Sequence, residues 1–269
     1  MNHTHNWRRY VAIGDSFTEG LNDQPLADGP FRGWADLLAQ ELADRVSSLP
    51  DDAAPGIQYA NLAIRGKLLR PILAEQLPQA LALKPDLISI IGGGNDNLRV
   101  NADVDELAQN LDHVVERVRA RGIDVLLGTA MDNADSPVVK LTRGRVGIFN
   151  SHIWSIAQRH GAYVLDLWGM RSLRDWRMWD ADRIHLTTGG HARVAQGALA
   201  GLGLTPADSE WDVPLPDKPQ PTLSEQMLDN ARWTRDHVAP WVARHLRGVS
   251  SGDGLINPRS ELRLIKPAQ

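Results

Sequence analysis

Five short runs of β-prone apolar residues alternate with segments of helical periodicity over the first 204 residues of the chain. Strands that alternate with helices favour a parallel sheet covered on both faces. The run Leu-Ile-Ser-Ile-Ile at 87–91 is almost entirely apolar, as expected for a strand buried on both faces. We therefore predict an α/β fold of three layers, α/β/α, with a five-stranded parallel flavodoxin-like sheet. The predicted strands are 10–13, 57–62, 87–91, 124–129 and 161–166, and the predicted helices are 34–46, 68–82, 103–121, 144–160 and 189–202.

The alternation ends near Leu204, and the rest of the chain has a different composition. Segment 211–221 contains four prolines, which disfavour a helix or a central strand and indicate a linker. Residues 223–246 have helical periodicity, with an apolar stripe that we expect to pack on the core. The stripe contains Leu228, Trp233, Trp241 and Leu246. We predict a domain at 1–204 and a C-terminal helical extension at 205–269, which consists of a Pro-rich linker, a helix and a flexible tail from about residue 250.

Composition excludes several classes of protein. The 269 residues include no cysteine, so disulfides, thiolate catalysis and Cys-ligated zinc are excluded. The net charge of −4 argues against a nucleic-acid binder driven by positive charge. The N-terminal residues lack the apolar region of a secretory signal, and no apolar run approaches the length of a membrane span, so we expect a cytoplasmic protein. No spacing of His and Asp indicates a metal site.

Unusual polar residues follow three of the predicted strands. The first strand runs into Gly14-Asp15-Ser16, the second into the turn 61–66, and the third into Gly94-Asn95-Asp96. Because the carboxyl ends of parallel strands meet at one edge of a sheet, these groups should share one crevice, and segment 180–185 would return to the same edge. Gly-Asp-Ser alone is also typical of an ordinary turn and helix cap, so a chemical role for it depends on the other segments.

These polar groups match the requirements of acyl transfer. A serine nucleophile needs a base, which histidine provides near neutral pH, and the histidine needs a carboxylate to fix its tautomer. Segment 180–185 contains both residue types. The tetrahedral oxyanion needs several hydrogen-bond donors, which the N–H groups of Ser16 and Gly66 and the Asn95 amide can supply. The candidates for the carboxylate are Asp166, Asp175, Asp180 and Asp182.

The order of these segments resembles that of the SGNH hydrolases of the GDSL type. Gly14-Asp15-Ser16 matches the nucleophile block, 61–66 resembles the second block, Gly93-Gly94-Asn95-Asp96 matches the third, and 182–185 matches the last. The resemblance covers roughly residues 8–204 and implies a serine acyl-ester hydrolase of the esterase or lipase type that needs no cofactor. It implies a triad of Ser16, His185 and Asp182 and an oxyanion hole of Ser16, Gly66 and Asn95. Phe17 departs from the leucine that the family name implies, and we expect it to pack beside the pocket.

Several alternatives stay open at this point. The expected substrate is a small acyl ester, and the alternatives are a carbohydrate O-acetylester, a lysophospholipid, a thioester or acyl transfer to another alcohol. A different class of function is a non-catalytic binding protein on the same fold. The tryptophan-rich segment 168–185 can line an acyl pocket or form a core patch. We expect His191 to be structural, and Asp15 and Asp96 to brace loops rather than react.

Overall fold

One six-stranded sheet forms the centre of the molecule. The structure is a computed structural model, which describes residues 7–26, 31–46, 56–99, 101–132, 134, 136, 139–219, 222–238, 252, 254, 255, 257 and 259–268. The strands are β1 Arg9–Gly14, β2 Ile57–Asn61, β3 Leu87–Ile91, β4 Asp124–Gly128, β5 Tyr163–Leu165 and β6 Arg259–Ile265. Their order is β5-β4-β3-β1-β2-β6, with β1 to β5 parallel and β6 antiparallel to β2. The order of the first five strands is flavodoxin-like, which confirms the predicted fold class.

Helices cover both faces of the sheet. They are α1 Ser16–Glu19, α2 Trp34–Val46, α3 Leu69–Pro71, α4 Leu77–Ala82, α5 Gly94–Asn97, α6 Val104–Arg119, α7 Arg143–His160, α8 Thr188–Gly201 and α9 Leu223–Trp233. Successive side chains of a strand point to opposite faces, so Tyr10 and Ala12 of β1 join the core on the α2 and α8 side. Val11 and Ile13 join the second core, on the α6 and α7 side. The molecule therefore has the three predicted layers.

The predicted helix at 68–82 is irregular in its middle. A π-helical turn, Ile72–Gln76, separates α3 from α4. Pro78 follows this turn, and its missing N–H and its ring disfavour continuous α-helical hydrogen bonding. Gln76, at the end of the turn, is buried. Its side chain accepts a hydrogen bond from the N–H of Gly14 at 2.8 Å and donates one to the carbonyl oxygen of Gly14 at 2.9 Å. The irregular turn thus brings a side chain to the carboxyl end of β1.

The C-terminal extension is more ordered than the sequence predicts. Its first part runs along α8, where Arg193 donates to the carbonyl oxygens of Glu210, Trp211 and Val213 at 2.6–3.1 Å. The expected flexible tail is wrong for 259–265, because these residues form β6, a sixth strand that pairs with the open edge of β2. Three of the seven residues of β6 are charged, which suits an edge strand and gives little hydrophobic signal. The division of the chain near residue 204 stays a prediction.

The predicted C-terminal helix begins as expected at Leu223, where Thr222 and Glu225 form a capping box. It continues as α9 to Trp233 and then as a π-helical turn, Thr234–Val238. Trp241 and Leu246 of the predicted stripe lie outside the described residues. Trp233 is buried, whereas Leu228 is 59% exposed, so the stripe packs less completely than predicted. In the described part of the chain, no helix combines the length and the apolar character needed to cross a membrane.

Candidate active site

Ser16 lies at the carboxyl end of the central strand β1. Asp15 caps the short helix α1 by accepting a hydrogen bond from the N–H of Phe17 at 3.0 Å, which makes Ser16 the first helical residue. Gly14 is required for this turn, since a Cβ there would lie 2.5 Å from the carbonyl oxygen of Ile91. The hydroxyl is therefore held at a fixed position above the sheet.

His185 and Asp182 complete a continuous chain of hydrogen bonds from Ser16. The Nε2 atom of His185 lies 3.0 Å from Ser16 Oγ, and its Nδ1 atom lies 2.6 Å from Asp182 Oδ2. Burial tends to raise the pKa of Asp182, but the hydrogen bond and charge of His185 outweigh burial and lower this pKa below the usual value. An ionised carboxylate can only accept, so Nδ1 carries the proton and Nε2 is free to accept the proton of the Ser16 hydroxyl.

The other candidate carboxylates have different partners. Asp180 accepts from the side-chain amide of Asn22 at 2.7 Å. Asp175 pairs with Arg177, and Asp166 accepts from the N–H of Gly169 at 3.2 Å. The Asn22 amide also lies 3.3 Å from Asp182 Oδ2, so it helps to fix the carboxylate beside His185. Of the four candidates, Asp182 is the one whose carboxylate contacts the His185 ring, whereas Asp180 bonds to His185 through its backbone N–H.

The three predicted donor groups follow the carboxyl ends of β1, β2 and β3. Among the described residues, neither the N–H of Ser16 nor that of Gly66 has a hydrogen-bond partner. Gly66 has a φ of 74°, a left-handed conformation that favours glycine. The Asn95 amide donates to the carbonyl oxygen of Lys67 at 3.0 Å and to Asp15 Oδ2 at a longer 3.3 Å. The weaker of these two bonds can be exchanged for a bond to a bound ligand.

Buried polar side chains brace the turns that carry these donors. Glu19 of α1 accepts from the backbone N–H of Arg65 at 2.7 Å and pairs with its guanidinium, which ties α1 to the turn of Gly66. Asn61 donates to the carbonyl oxygen of Thr18 at 2.8 Å. Asp96 accepts from the N–H of Leu69 at 2.9 Å. Asp96 and Arg65 therefore make structural contacts within these turns.

Asp15 is a buried carboxyl directly beside Ser16. Burial raises its pKa from 3.8 to about 6, against the opposing effects of the Phe17 N–H and the charge of His185. Asp15 braces the start of α1 and contacts Asn95, as described above. It does not hydrogen-bond to Ser16 or His185 within the described structure, in agreement with the expected bracing role.

A cavity of about 510 Å³ opens beside Ser16 and His185. Phe17 lines it, and also packs against Trp34 with ring centroids 6.2 Å apart, as its position after the nucleophile led us to expect. The tryptophan-rich segment divides between the two predicted roles: Trp176 and Trp179 line the cavity, whereas Met170 and Met178 lie in the core. The cavity is also lined by Met131, Val146, Leu173, Ile184 and Trp233.

Trp233 and Asn22 are site residues that sequence reasoning missed. Trp233 donates from Nε1 to the backbone carbonyl oxygen of Asp182 at 2.7 Å. Asn22 follows the nucleophile helix in a Gly-, Asp- and Pro-rich loop, where such a residue suggests only a turn. Neither residue belongs to a motif, and their contacts with Asp182 arise from the tertiary fold alone.

The remaining histidines with described contacts serve packing and surface roles. His191 is buried in α8 and accepts from the N–H of Trp34 at 3.2 Å, and burial lowers its pKa to about 4. His152 and His160 pair with acidic residues of α6 at 2.9 and 2.7 Å. Among the described residues, no group of three His, Asp or Glu side chains is arranged to hold a metal ion.

A second cavity, of about 730 Å³, lies along the open edge of β5 between α7 and α8. Neither Ser16 nor His185 lines this second cavity. We therefore assign the candidate active site to the first cavity, because Ser16, His185 and Asn95 line it, although Gly66 is not among its lining residues.

These features define an α/β protein with a serine, histidine and aspartate at the carboxyl edge of its sheet. The sequence model of the GDSL-like Lipase/Acylhydrolase family matches residues 12–193, and the chain belongs to this family. The SGNH hydrolase resemblance inferred from the four sequence blocks is thereby confirmed.

Known relatives include esterases. Esterase TesA of Pseudomonas aeruginosa is 36% identical over 120 residues, which cover 44% of this chain and 51% of that protein, so the match spans about half the length of this curated relative. The acetylxylan esterase Axe2 from Geobacillus stearothermophilus has a TM-score of 0.59 at 21% identity and covers 75% of this chain and 97% of its own. LAE5, an alpha/beta hydrolase enzyme from the metagenome of Lake Arreo, Spain, has a TM-score of 0.59 at 24% identity, and the match covers 73% of this chain and 95% of LAE5. The two solved structures are thus similar to this chain in fold.

Proposed function

We propose that this protein is a serine ester hydrolase with Ser16 as its nucleophile. The observation that carries the proposal is the chain of contacts from Ser16 Oγ through His185 to Asp182, at 3.0 and 2.6 Å. Family membership supports the same chemistry. A non-catalytic binding protein on this fold would have no need for a base within hydrogen-bond reach of the serine.

In the proposed acylation step, Ser16 Oγ attacks the ester carbonyl carbon. His185 Nε2 takes the hydroxyl proton, while Asp182 fixes the tautomer and stabilises the imidazolium. The carbonyl oxygen gains negative charge and accepts hydrogen bonds from the N–H groups of Ser16 and Gly66 and from the Asn95 amide. His185 then returns the proton to the alcohol oxygen, the carbon–oxygen bond to the alcohol breaks, and an acyl ester of Ser16 remains.

Deacylation repeats these roles with water as the nucleophile. His185 takes a proton from the water as its oxygen attacks the acyl carbon, and then protonates Ser16 Oγ as that bond breaks. The free acid leaves and the serine is regenerated. Every proton in this cycle is carried by a residue of the chain or by water, so the proposed reaction requires no cofactor.

The proposed substrate is a small acyl ester whose acyl group enters the cavity beside Ser16. Its lining is mostly apolar and includes Trp176, Trp179 and Met131, which suits a hydrocarbon chain. Hydrolysis of acetylated sugars or thioesters, and transfer to another alcohol, use the same triad and stay as alternatives. Rates on acyl esters of varied chain length, with an acetylated sugar and a thioester included, would distinguish these substrates.

The direct test is hydrolysis of a short chromogenic ester by the Ser16→Ala variant. We expect turnover to fall by roughly 10³-fold or more, because the nucleophile is lost while binding and the other donors are kept. The melting temperature should stay close to that of the unchanged protein. Near-normal turnover by Ser16→Ala would contradict the assignment.

The cytoplasmic location expected from the sequence stays a prediction.

A further inference from the structure

The turn that carries Asp182 and His185 has an unusual backbone. Arg183 has a φ of 56°, in the left-handed region that non-glycine residues rarely adopt. This conformation curls the chain so that Asp182 Oδ1 accepts from the N–H groups of Ile184 and His185, both at 2.9 Å. The other carboxylate oxygen, Asp182 Oδ2, is then available to accept the hydrogen bond from His185 Nδ1. The geometry of the triad therefore depends on a strained residue that other contacts have to stabilise.

The end of α9 supplies these contacts. The Arg183 guanidinium lies over the Trp176 ring at 5.5 Å and over the Trp233 ring at 5.3 Å. It also donates to Asn230 Oδ1 at 2.7 Å and pairs with Asp229. Trp233 donates to the carbonyl oxygen of Asp182, immediately before the strained residue. Residues of α9 therefore contact both the Arg183 side chain and the backbone of this turn.

Few residues of α9 are buried, and those few lie next to the turn that carries Asp182 and His185. From Leu223 to Trp233, every residue of α9 is exposed except Asn230, which is half-buried, and Trp233, which is buried. A helix that packs only for stability would bury a continuous apolar stripe. Met227 is instead 73% exposed, and the helix is anchored through residues that hold the triad turn.

We propose that α9 is a positioning element of the active site: Trp233, with Asn230, holds the left-handed conformation of Arg183 and thereby the alignment of Asp182 and His185 with Ser16. This inference rests on the proposed serine hydrolase function. Trp233 and Arg183 also line the cavity, so the same contact forms part of its wall. The α9 part of the C-terminal extension then contributes to catalysis although it lies beyond the matched residues 12–193.

The test compares steady-state kinetics on p-nitrophenyl acetate for three full-length variants. Trp233→Phe removes the indole N–H and keeps an aromatic ring, Arg183→Ala removes the guanidinium, and Trp211→Phe is the matched control. Trp211 packs on the core from the same extension but does not line the Ser16 cavity. We expect kcat to fall roughly 10-fold or more for the first two, with KM changed less than about twofold, because small misplacements of catalytic groups are costly. Trp211→Phe should keep its kcat.

A second measurement separates positioning from a general loss of stability. In the His185→Ala background there is no base to align, so adding Trp233→Phe should leave the residual rate unchanged. If Trp233→Phe and Arg183→Ala keep their kcat, or raise KM alone, the positioning role is overturned while ester hydrolysis by the unchanged protein still supports the proposed function. If Arg183→Ala does not fold, Trp233→Phe and its double variant decide the outcome. Loss of the proposed function itself would appear as equal rates for the unchanged protein and Ser16→Ala.

Discussion

At the scale of single residues, Asn95 links two turns by hydrogen bonds and, in the proposed mechanism, also donates to the oxyanion. Its amide has two hydrogens, and both have acceptors, at 3.0 Å on Lys67 and at 3.3 Å on Asp15. These bonds hold the amide in one orientation before a substrate arrives. In the proposed mechanism the shorter bond to Lys67 keeps the amide oriented, and the longer bond to Asp15 is exchanged for one to the developing oxyanion.

Replacing Asn95 by alanine should therefore lower kcat by roughly 10²–10³-fold, the usual cost of losing one oxyanion donor. KM for a short ester should change little, because the lost bond forms mainly in the transition state. Steady-state rates over a range of ester concentrations give both values. A rise in KM with kcat unchanged would assign Asn95 to substrate binding instead.

The sequence allowed the motif residues of the site to be predicted, but not the residues that hold them. Ser16, Asn95 and His185 follow predicted strands or recur in spaced blocks, so topology alone brings them to one edge. Trp233 and Arg183 are separated by 50 positions and belong to parts of the chain with no shared pattern. Their contact follows from where the extension crosses the molecule, which periodicity does not encode.

At the scale of elements, β6 covers the sheet edge that the five-stranded prediction left open. It pairs with β2 from Ile57↔Ile265 to Asn61↔Arg259. Arg259 lies over Tyr59 and forms an ion pair with Asp36, and both side chains of this pair are nearly buried. Unpaired edge strands promote association between molecules, so β6 protects β2 as well as adding backbone hydrogen bonds.

Removing residues 259–269 should lower stability without disabling the site. Each kcal/mol of unfolding free energy that is lost should lower the melting temperature by about 2–4 °C for a domain of this size. The truncated protein should also associate more readily, through the exposed edge of β2. Because β6 makes no contact with the triad residues in the described structure, kcat on a short ester should be retained.

Calorimetry, light scattering and an ester assay on the same preparation measure these three effects. A melting temperature equal to that of the full chain would contradict a stabilising role for β6. A large loss of kcat in a folded truncated protein would show that the extension reaches the site through β6 as well as through α9.

At the scale of the whole molecule, placing a carboxyl beside the nucleophile has a cost in stability. The pKa of Asp15 is about 6 in the folded protein and near 3.8 when unfolded, so the folded state binds this proton more tightly. The contribution of Asp15 to the free energy of unfolding is therefore greatest at low pH and declines as pH rises from about 4 to about 6. Above that range the penalty is constant, at up to about 3 kcal/mol.

The Asp15→Asn side chain cannot ionise and can still cap α1. The variant should therefore not lose unfolding free energy through ionisation at this position. Relative to the unchanged protein, its unfolding free energy should increase as pH rises from about 4 to about 6 and then stay level. Urea unfolding at several pH values measures the difference, with the exposed Glu116→Gln as a control for loss of one negative charge. A difference that does not change with pH would contradict the raised pKa.

Most of the fold was predictable because alternation of strands and helices is encoded locally. The apolar run of β3 and the helical periodicity of α6 appear close to their predicted bounds. The extension was not predictable to the same degree. Strand β6 has three charged residues among its seven, and α9 buries Trp233 while most of its apolar residues stay exposed, so neither element carries a strong hydrophobic pattern. Their positions depend on the surfaces that the first 204 residues present.

The proposed mechanism requires Ser16 to be an activated nucleophile, and labelling with an organophosphonate ester tests this directly. Mass spectrometry of the digested protein should find one phosphonyl group, on the peptide that contains Ser16. The Ser16→Ala variant should not be labelled, and His185→Ala should react far more slowly because the base is missing. Labelling of Ser16→Ala at the normal rate, or an unlabelled Ser16 peptide in the unchanged protein, would contradict the proposed mechanism.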